Sequence, residues 1–187
     1  FTPAWINPDF FEAVSATSVK LVPVAGKYRI TANLATKVID ALVLKADGSG
    51  LATLGDDGHG AVYFIGYGIG SPAAADQPGW TTEKGVCVPE SAPGIYKMTA
   101  QAGLEGSTTL GQRFRVSGWS GKFFKNRGWD GLGTFSLAPG TEAFLSIAGD
   151  GNIEIASGVT LDEGATYCLT LDVTAGNDKP VLSMVKK

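Results

Sequence analysis

The sequence predicts an all-β fold, an antiparallel β-sandwich with a small N-terminal β module. Two observations carry this prediction. Apolar residues recur at every second position in many short segments, and glycine, proline or aspartate separates nearly every segment from the next. The 26 glycines and 9 prolines follow no short period, which is typical of turns between strands. A chain of 187 residues is long enough for one good-sized domain, or for one domain and a smaller module.

The alternation is clearest in residues 27–34 and 165–173, where each apolar face begins with a tyrosine. The other predicted strands are, in chain order, Ser18–Val24, Val38–Leu44, Ala61–Gly68, Gly85–Pro89, Ile95–Ala102, Gln112–Ser117, Thr134–Leu137, Ala143–Ala148, Asn152–Ala156 and Pro180–Val185. Pro8–Val14 and Ser107–Gln112 each offer a helical turn at most. The aromatic residues on alternating faces are predicted core residues: Tyr28, Tyr63, Tyr67, Tyr96, Phe114, Phe144 and Tyr167.

Two segments of the chain resemble each other and suggest a division into domains. They begin at Gly26 and Gly164, and each runs from glycine into an alternating strand with an early tyrosine before turning into a second strand. If each pair of strands closes a unit, residues 1–58 form the N-terminal β module and residues 59–187 form the main sandwich. The alternative is one continuous sandwich that takes its first strands from residues 17–44.

The composition excludes several classes of function. A net charge of −3 gives no basic surface for nucleic acid, and no apolar run approaches the roughly 20 residues that span a bilayer. With His59 as its one histidine, the chain cannot form a histidine-based zinc site, and it has no nucleophile elbow. No cofactor or metal is therefore expected. Cys87 and Cys168 leave open one disulfide or two free thiols, and their setting favours the thiols.

Acidic residues offer two further chemistries, each with a simpler structural explanation. Asp56 or Asp57 could pair with another carboxylate as in a glycosidase, although the sequence shows no such distance. The alternating oxygen ligands of Asp150, Asn152 and Glu154 are compatible with calcium, but an ordinary β-turn explains this segment as well. We therefore expect a protein that is not an enzyme and that holds no metal.

The four tryptophans are unusual because each lies beside glycine or proline, in a segment where alternation assigns no face. Loops at the end of a sandwich commonly carry binding residues. A flat aromatic ring can cover the apolar C–H face of a sugar while polar side chains hydrogen-bond its hydroxyl groups. The sequence thus predicts a carbohydrate-binding site formed by Trp119, Trp129, Lys125, Asn126, Arg127 and Asp130, with Trp80 as a further member. At least one of Trp119 and Trp129 is expected to face solvent; the alternative is that both rings fold back over the edge of the sandwich.

The order of these landmarks resembles the SusE/SusF-like glycan-binding lipoproteins of Bacteroidetes, and in particular the C-terminal β-sandwich domains of their uncharacterised members. The segments that carry the resemblance are Asn7–Phe11, Gly26–Ile30, Asp57–Gly66, Pro78–Trp80, Arg113–Trp129, Gly149–Ile153 and Gly164–Val173. The resemblance implies an immunoglobulin-like or carbohydrate-binding-module-like sandwich. It also implies binding to an oligosaccharide or polysaccharide on aromatic rings flanked by Lys, Arg or Asn.

The same resemblance implies a setting for the protein. The chain would belong to an outer-membrane lipoprotein exposed at the cell surface, with its signal peptide and lipid anchor outside the present sequence. Its partners would be SusC/SusD-like proteins, that is, a TonB-dependent porin and its SusD-like companion. Three functions follow for testing: a non-catalytic glycan-binding module, a structural spacer that docks onto the uptake proteins, and a glycoside-active enzyme. The spacer predicts that all four tryptophans are buried and that an exposed apolar patch or sheet edge makes the contact.

Overall fold

The computed structural model describes residues 2–15, 17–55 and 59–187, and it shows the predicted all-β architecture. The regular structure of these residues consists of sixteen strands and two short 3-10 turns, Thr82–Lys84 and Thr141–Ala143. Within the same residues, no helix is long and apolar enough to cross a membrane.

The first five strands form two small sheets in the N-terminal part of the chain. They are β1 (Trp5–Ile6), β2 (Phe11–Ser15), β3 (Ser18–Leu21), β4 (Lys27–Asn33) and β5 (Val38–Leu44). Strand β5 lies between an antiparallel neighbour, β4, and a parallel neighbour, β1, whereas β2 and β3 pair as a hairpin. Only the start of the predicted helical turn over Pro8–Val14 is present: the carbonyl of Asn7 accepts hydrogen bonds from the N–H groups of Phe10 and Phe11 at 3.2 and 3.0 Å. From Phe11 onward the chain is extended and pairs with β3.

Eleven further strands form one continuous sheet path that folds into a sandwich. They are β6 (Ala61–Tyr67), β7 (Ile69–Gly70), β8 (Val86–Ala92), β9 (Ile95–Ala102), β10 (Arg113–Phe114), β11 (Ser120–Phe124), β12 (Ser136–Leu137), β13 (Leu145–Ile147), β14 (Ile153–Ile155), β15 (Thr166–Asp172) and β16 (Val181–Lys186). The strand order is β12-β16-β15-β9-β8-β6-β11-β14-β13, and β10 pairs with β7 and β9. Strand β8 connects the two layers, because it pairs with β6 before a bulge at Glu90–Ala92 and with β9 after it.

Strand β6 is buried on both faces, which explains its nearly continuous apolar sequence. On the inner face, Val62 and Phe64 belong to the main core between the two layers, together with Met98 of β9. On the outer face, Ala61 and Tyr63 belong to a second apolar cluster. The sandwich therefore needs a cover over β6, and the N-terminal strands provide it.

The second cluster joins the two predicted units. Its buried members are Phe10, Phe11, Ala41, Val43, Ala52, Ala61, Tyr63 and Cys87. Side chains from both sides of residue 58 thus share one apolar core, and the division of the chain at residue 58 stays a prediction. Cys87 and Cys168 are both buried free thiols, as the sequence favoured.

Asp9 forms a polar link between the N-terminal segment and the sandwich. Its Oδ1 atom accepts a hydrogen bond from the backbone N–H of Thr99 at 2.8 Å, and its Oδ2 atom accepts one from Nε2 of Gln112 at 2.6 Å. Burial raises the pKa of Asp9 from 3.8 to about 7, although both hydrogen bonds oppose this rise. The link is therefore sensitive to pH near neutrality.

The sequence located most strands but misplaced several features. Val38–Leu44 and Ile95–Ala102 have the predicted bounds, whereas the helical turn predicted over Ser107–Gln112 is absent from those residues. Tyr67 is 46% exposed rather than buried, because it lies at the end of β6 where the cover stops. Strand β11 is not among the predicted strands; Trp119 directly before it is buried, whereas Trp129 on the loop after it is exposed.

Candidate functional site: a tryptophan pair on a closed loop

Trp129 lies near the end of a loop that the backbone closes tightly. The loop leaves β11 after Phe124, and the backbone N–H of Lys125 donates a hydrogen bond to the carbonyl of Asp130 at 2.8 Å. Phe124 also forms a β-bridge with Gly131, so the two ends of the loop are held side by side. The Lys125 ammonium group lies 3.7 Å from the Asp130 carboxylate. Trp129 is therefore displayed from a loop with fixed ends.

Trp80 reaches the same surface from the segment that follows β7. The backbone N–H of Gly66 in β6 donates a hydrogen bond to the carbonyl of Gly79 at 2.6 Å, which ties this segment to the sandwich. Gly79 lies against the Tyr67 ring, because a Cβ atom added at this glycine would come within 3.5 Å of the tyrosine hydroxyl. Trp80 is therefore presented from an anchored segment that is adjacent to an exposed tyrosine.

The two rings form a near-parallel pair. Their centroids are 6.4 Å apart and their planes differ by 21°. The buried ring of Phe124 supports Trp129 from the side, with centroids 5.6 Å apart and planes at 88°. Trp129 is 66% exposed and Trp80 is 38% exposed. We call this pair the tryptophan platform; its apolar surface is of the kind that covers the C–H face of a sugar ring.

Trp119 is not part of the platform, and its assignment to a sugar-binding surface is wrong. It is 3% exposed, and its ring packs against Phe114 with centroids 5.0 Å apart. Its indole N–H donates a hydrogen bond to the carbonyl of Arg115 at 2.8 Å, so no polar group is left over for a ligand. Gly68 makes room for the ring, because a Cβ atom there would lie 2.8 Å from it. Trp119 is a core residue.

The polar residues of the predicted site have two different locations. Lys125 and Asp130 pair with each other at the base of the loop that carries Trp129, and Asn126, which follows Lys125, is half-buried. Arg127 donates a hydrogen bond from Nε to the carbonyl of Gly85 at 3.1 Å. Its guanidinium carbon lies 5.6 Å from the centroid of the Tyr63 ring, a cation–π contact. Arg127 therefore lines a separate cleft, next to the N-terminal sheet.

The described residues give no support to the two alternatives, a glycosidase carboxylate pair and a calcium site. Asp56 and Asp57 lie outside them. Among the residues that the structure describes, no group of three or more His, Cys, Asp or Glu side chains could hold a metal ion. Asp150 accepts two hydrogen bonds from Asn152, at 3.0 and 2.8 Å, as in an ordinary turn. His59 is exposed and lies 3.0 Å from the buried carboxylate of Glu90.

The fold and the site together define an all-β protein with a solvent-exposed tryptophan pair on its surface. Comparison with family models identifies the group to which it belongs. The model of a domain of unknown function, DUF5121, matches residues 57–174, which is more than half of the chain. The chain is a member of this family, and the matched region contains both tryptophans of the platform. No curated protein and no solved structure matches the chain.

Proposed function

We propose that the protein is a non-catalytic carbohydrate-binding module that captures an oligosaccharide or polysaccharide on the tryptophan platform. The observation that carries the proposal is the exposure of two near-parallel tryptophan rings on anchored segments. Large aromatic residues are costly to leave in water, and an exposed apolar patch is a common sign of a binding surface. The spacer hypothesis predicts four buried tryptophans, whereas Trp129 and Trp80 are both exposed.

The exposed area is large enough to contribute useful affinity. A tryptophan side chain offers on the order of 230 Å² of surface, and Trp129 leaves 66% of its surface exposed, so about 150 Å² can be covered. Covering half of this area with one sugar ring contributes about 2 kcal/mol, at roughly 25 cal/mol per Å². This free energy corresponds to about a 30-fold change in the dissociation constant.

The loop ends supply polar groups beside the aromatic surface. Lys125 and Asp130 are only loosely paired at 3.7 Å, and the Asp130 side chain is more than half exposed. An ammonium group donates hydrogen bonds and a carboxylate accepts them, so the pair can serve both functions of a sugar hydroxyl. Asn126 adds an amide to the same loop. In this proposal the rings provide affinity and these side chains orient the sugar.

The proposed setting is the surface of a bacterial outer membrane. There the module would be part of a SusE/SusF-like lipoprotein, held by a lipid anchor outside this chain, and it would deliver glycans to SusC/SusD-like partners. This part of the proposal is supported by the resemblance of the sequence to the SusE/SusF-like lipoproteins. It predicts that incubation with a bound polysaccharide generates no new reducing ends.

Affinity gel electrophoresis in soluble polysaccharides tests the proposal. At least one polysaccharide should retard the wild-type protein, and Trp129→Ala should abolish most of that retardation. Ile30→Ala is the matched control, because Ile30 is also a large apolar residue that is 56% exposed but lies on β4. If no polysaccharide class retards the wild type, or if Trp129→Ala migrates like wild type, the platform is not a glycan site.

A second candidate function, docking onto a protein partner, is favoured by the exposed strand β4. Within the described part of the chain β4 pairs only with β5, so it is the edge of its sheet. It exposes Ile30, and Leu34 just beyond it is 71% exposed. Exposed edge strands are sites of strand addition. Leu34→Asp should then weaken co-purification with the SusC/SusD-like partners while Trp129→Ala leaves it unchanged.

A further inference from the structure

A cleft with both apolar and charged walls lies between the N-terminal sheet and the sandwich, beside the loop that carries Trp129. Its main chamber has a volume of about 440 Å³ and shares lining residues with an adjacent chamber of about 90 Å³. Asp40 of β5 and Arg127 line both chambers. The main chamber is within the size range of small-ligand sites and can hold a sugar residue. We call the two chambers together the junction cleft.

Asp40 offers the cleft one free carboxylate oxygen. Its Oδ1 atom accepts two hydrogen bonds, from Nδ2 of Asn7 and from the backbone N–H of Ala41, each at 2.8 Å. Within residues 2–15, 17–55 and 59–187, its Oδ2 atom accepts no hydrogen bond. This oxygen is not among the buried atoms that lack a partner, so it is open to the cleft. A ligand hydroxyl could donate a hydrogen bond to Oδ2 in place of water.

Arg127 offers the cleft the complementary donors. Its Nε atom is used by the carbonyl of Gly85, and its guanidinium plane rests near Tyr63, which fixes its direction. Among the described residues, the terminal nitrogens of Arg127 make no hydrogen bond, and no ion pair within 4.0 Å links them to Asp40. The two side chains therefore line one cleft with an acceptor and a donor fork that do not satisfy each other.

The charges of the cleft select the chemical class of the ligand. Arg127 and Lys84 are basic, whereas Asp40 and Asp76 are acidic, and all four line one or both chambers. An anionic ligand would face the two carboxylates, and a cationic ligand would face the guanidinium and ammonium groups. A neutral ligand with adjacent hydroxyls avoids both conflicts, because each hydroxyl can donate to Asp40 or accept from Arg127. Thr31 and Asn33 add further polar groups to the same wall.

We propose that the junction cleft binds one residue of a neutral glycan through two neighbouring hydroxyls, one held by Asp40 and the other by Arg127. This inference rests on the proposed function, since it treats the cleft as a second subsite for the glycan that the tryptophan platform captures. The loop Lys125–Asp130 carries both Trp129 and Arg127, two residues apart, and the proposal places residues of one glycan chain on both surfaces. The platform supplies affinity, and the cleft supplies the choice of sugar.

NMR spectroscopy of the ¹⁵N-labelled protein tests this assignment with separate reporters for each surface. The indole N–H signals of Trp80 and Trp129 report on the platform. The Nε–H signal of Arg127 and the backbone signal of Ala41, which is bonded to Asp40, report on the cleft. The probes are maltohexaose, cellohexaose, xylohexaose and mannohexaose, with a galacturonic acid hexamer as the anionic comparison.

At least one neutral hexasaccharide should shift both sets of signals, and the galacturonate hexamer should bind at least tenfold more weakly. Asp40→Asn keeps an oxygen for Asn7 and Ala41 but replaces the free acceptor by a donor, so it should weaken neutral binding about tenfold. Glu142→Gln, in the exposed 3-10 turn against β16, is the control and should bind like wild type. Unchanged signals elsewhere in the Asp40→Asn spectrum would show that the fold is intact.

The two reporter sets separate the possible failures. Shifts at the indoles without shifts at Arg127 and Ala41 would overturn the cleft assignment and leave the platform intact. Shifts at the cleft alone would refute the platform while supporting the cleft as a sugar site. Wild-type affinity in Asp40→Asn, or tighter binding of the galacturonate, would also overturn the assignment. If none of the hexasaccharides shifts either set, the cleft and the platform are both refuted.

Discussion

The contribution of the buried link at Asp9 to the stability of the protein is predicted to decrease as the pH rises from about 4 to about 7. Burial raises the pKa of Asp9 in the folded protein from 3.8 to about 7, so the folded state binds more protons than the unfolded chain in this interval. The stability that this group contributes is fully present below pH 3.8 and is lost as the pH rises through 7. At 1.36 kcal/mol per pH unit, the loss amounts to about 4 kcal/mol.

Asp9→Asn is the variant that isolates this effect. The asparagine keeps an oxygen for the N–H of Thr99 but cannot ionise. Its amide would meet Nε2 of Gln112, a donor against a donor, yet Oε1 of Gln112 is buried without a partner among the described residues. Rotation of the Gln112 amide would supply this acceptor but would break the hydrogen bond from Nε2 to the carbonyl of Thr99 at 3.0 Å, a cost that does not depend on pH. The stability of the variant relative to the wild type should therefore rise between pH 4 and pH 8.

Urea unfolding at a series of pH values measures the difference between the two proteins, which removes the contribution of all other titrating groups. The difference in the free energy of unfolding should change by about 4 kcal/mol between pH 4 and pH 8, with its midpoint inside that interval. In thermal unfolding this corresponds to about 10 °C for a chain of this size. A difference that stays constant with pH would show that Asp9 is not held in a desolvated link, and the reasoning would fail.

Three further predictions concern the core and the platform. Trp119→Ala should destabilise the protein by about 3–5 kcal/mol, because it leaves a cavity at a buried site. Trp129→Ala should change the melting temperature by only a few degrees. Equal losses of stability in thermal unfolding would contradict the placement of the two rings. Gly121→Ala should also be strongly destabilising in the same assay, since the new Cβ atom would lie 2.2 Å from the ring of Phe64. A melting temperature equal to that of the wild type would refute this packing. Burial raises the pKa of the Cys87 thiol to about 11. A thiol reagent at pH 8 should therefore label Cys87 only after the protein unfolds. Rapid labelling of Cys87 in the native protein would argue against its burial.

The strands could be predicted from the sequence because alternation is a local property. In β9, apolar residues alternate with Lys97, Thr99 and Gln101, whereas β5 is an apolar run broken only by Asp40. Both patterns are local, and both strands have the predicted bounds. Strand β11 could not be recognised in this way because Gly121, which has no side chain, occupies the inward position between Trp119 and Phe123. It interrupts the recurrence of apolar residues at every second position. The signal was present in the polar residues Ser120 and Lys122, which alternate with the buried ones.

Features that depend on which surface covers another could not be predicted in the same way. The alternation correctly places Ile30 on one face of β4 with Tyr28, but it cannot tell that this part of the face is left uncovered. Asp40 is the one polar residue in the apolar strand β5, and only the fold brings it to the same cleft as Arg127. The exposure of Trp129 could be predicted because a tryptophan in a glycine-rich loop has no strand face that could bury its ring.

The platform and the junction cleft would have different roles because their interactions differ in kind. Burial of apolar area is non-directional, so the tryptophans can hold any sugar that presents a flat C–H face. Hydrogen bonds are directional, and a site built to pair with hydroxyls rejects a sugar that leaves its polar groups unpaired. The family match at residues 57–174 includes Trp80, Trp129 and Arg127 but begins after β5, which carries Asp40. A change at the residue that shares the cleft with Arg127 could therefore alter the choice of glycan while the aromatic surface and the sandwich beneath it stay the same.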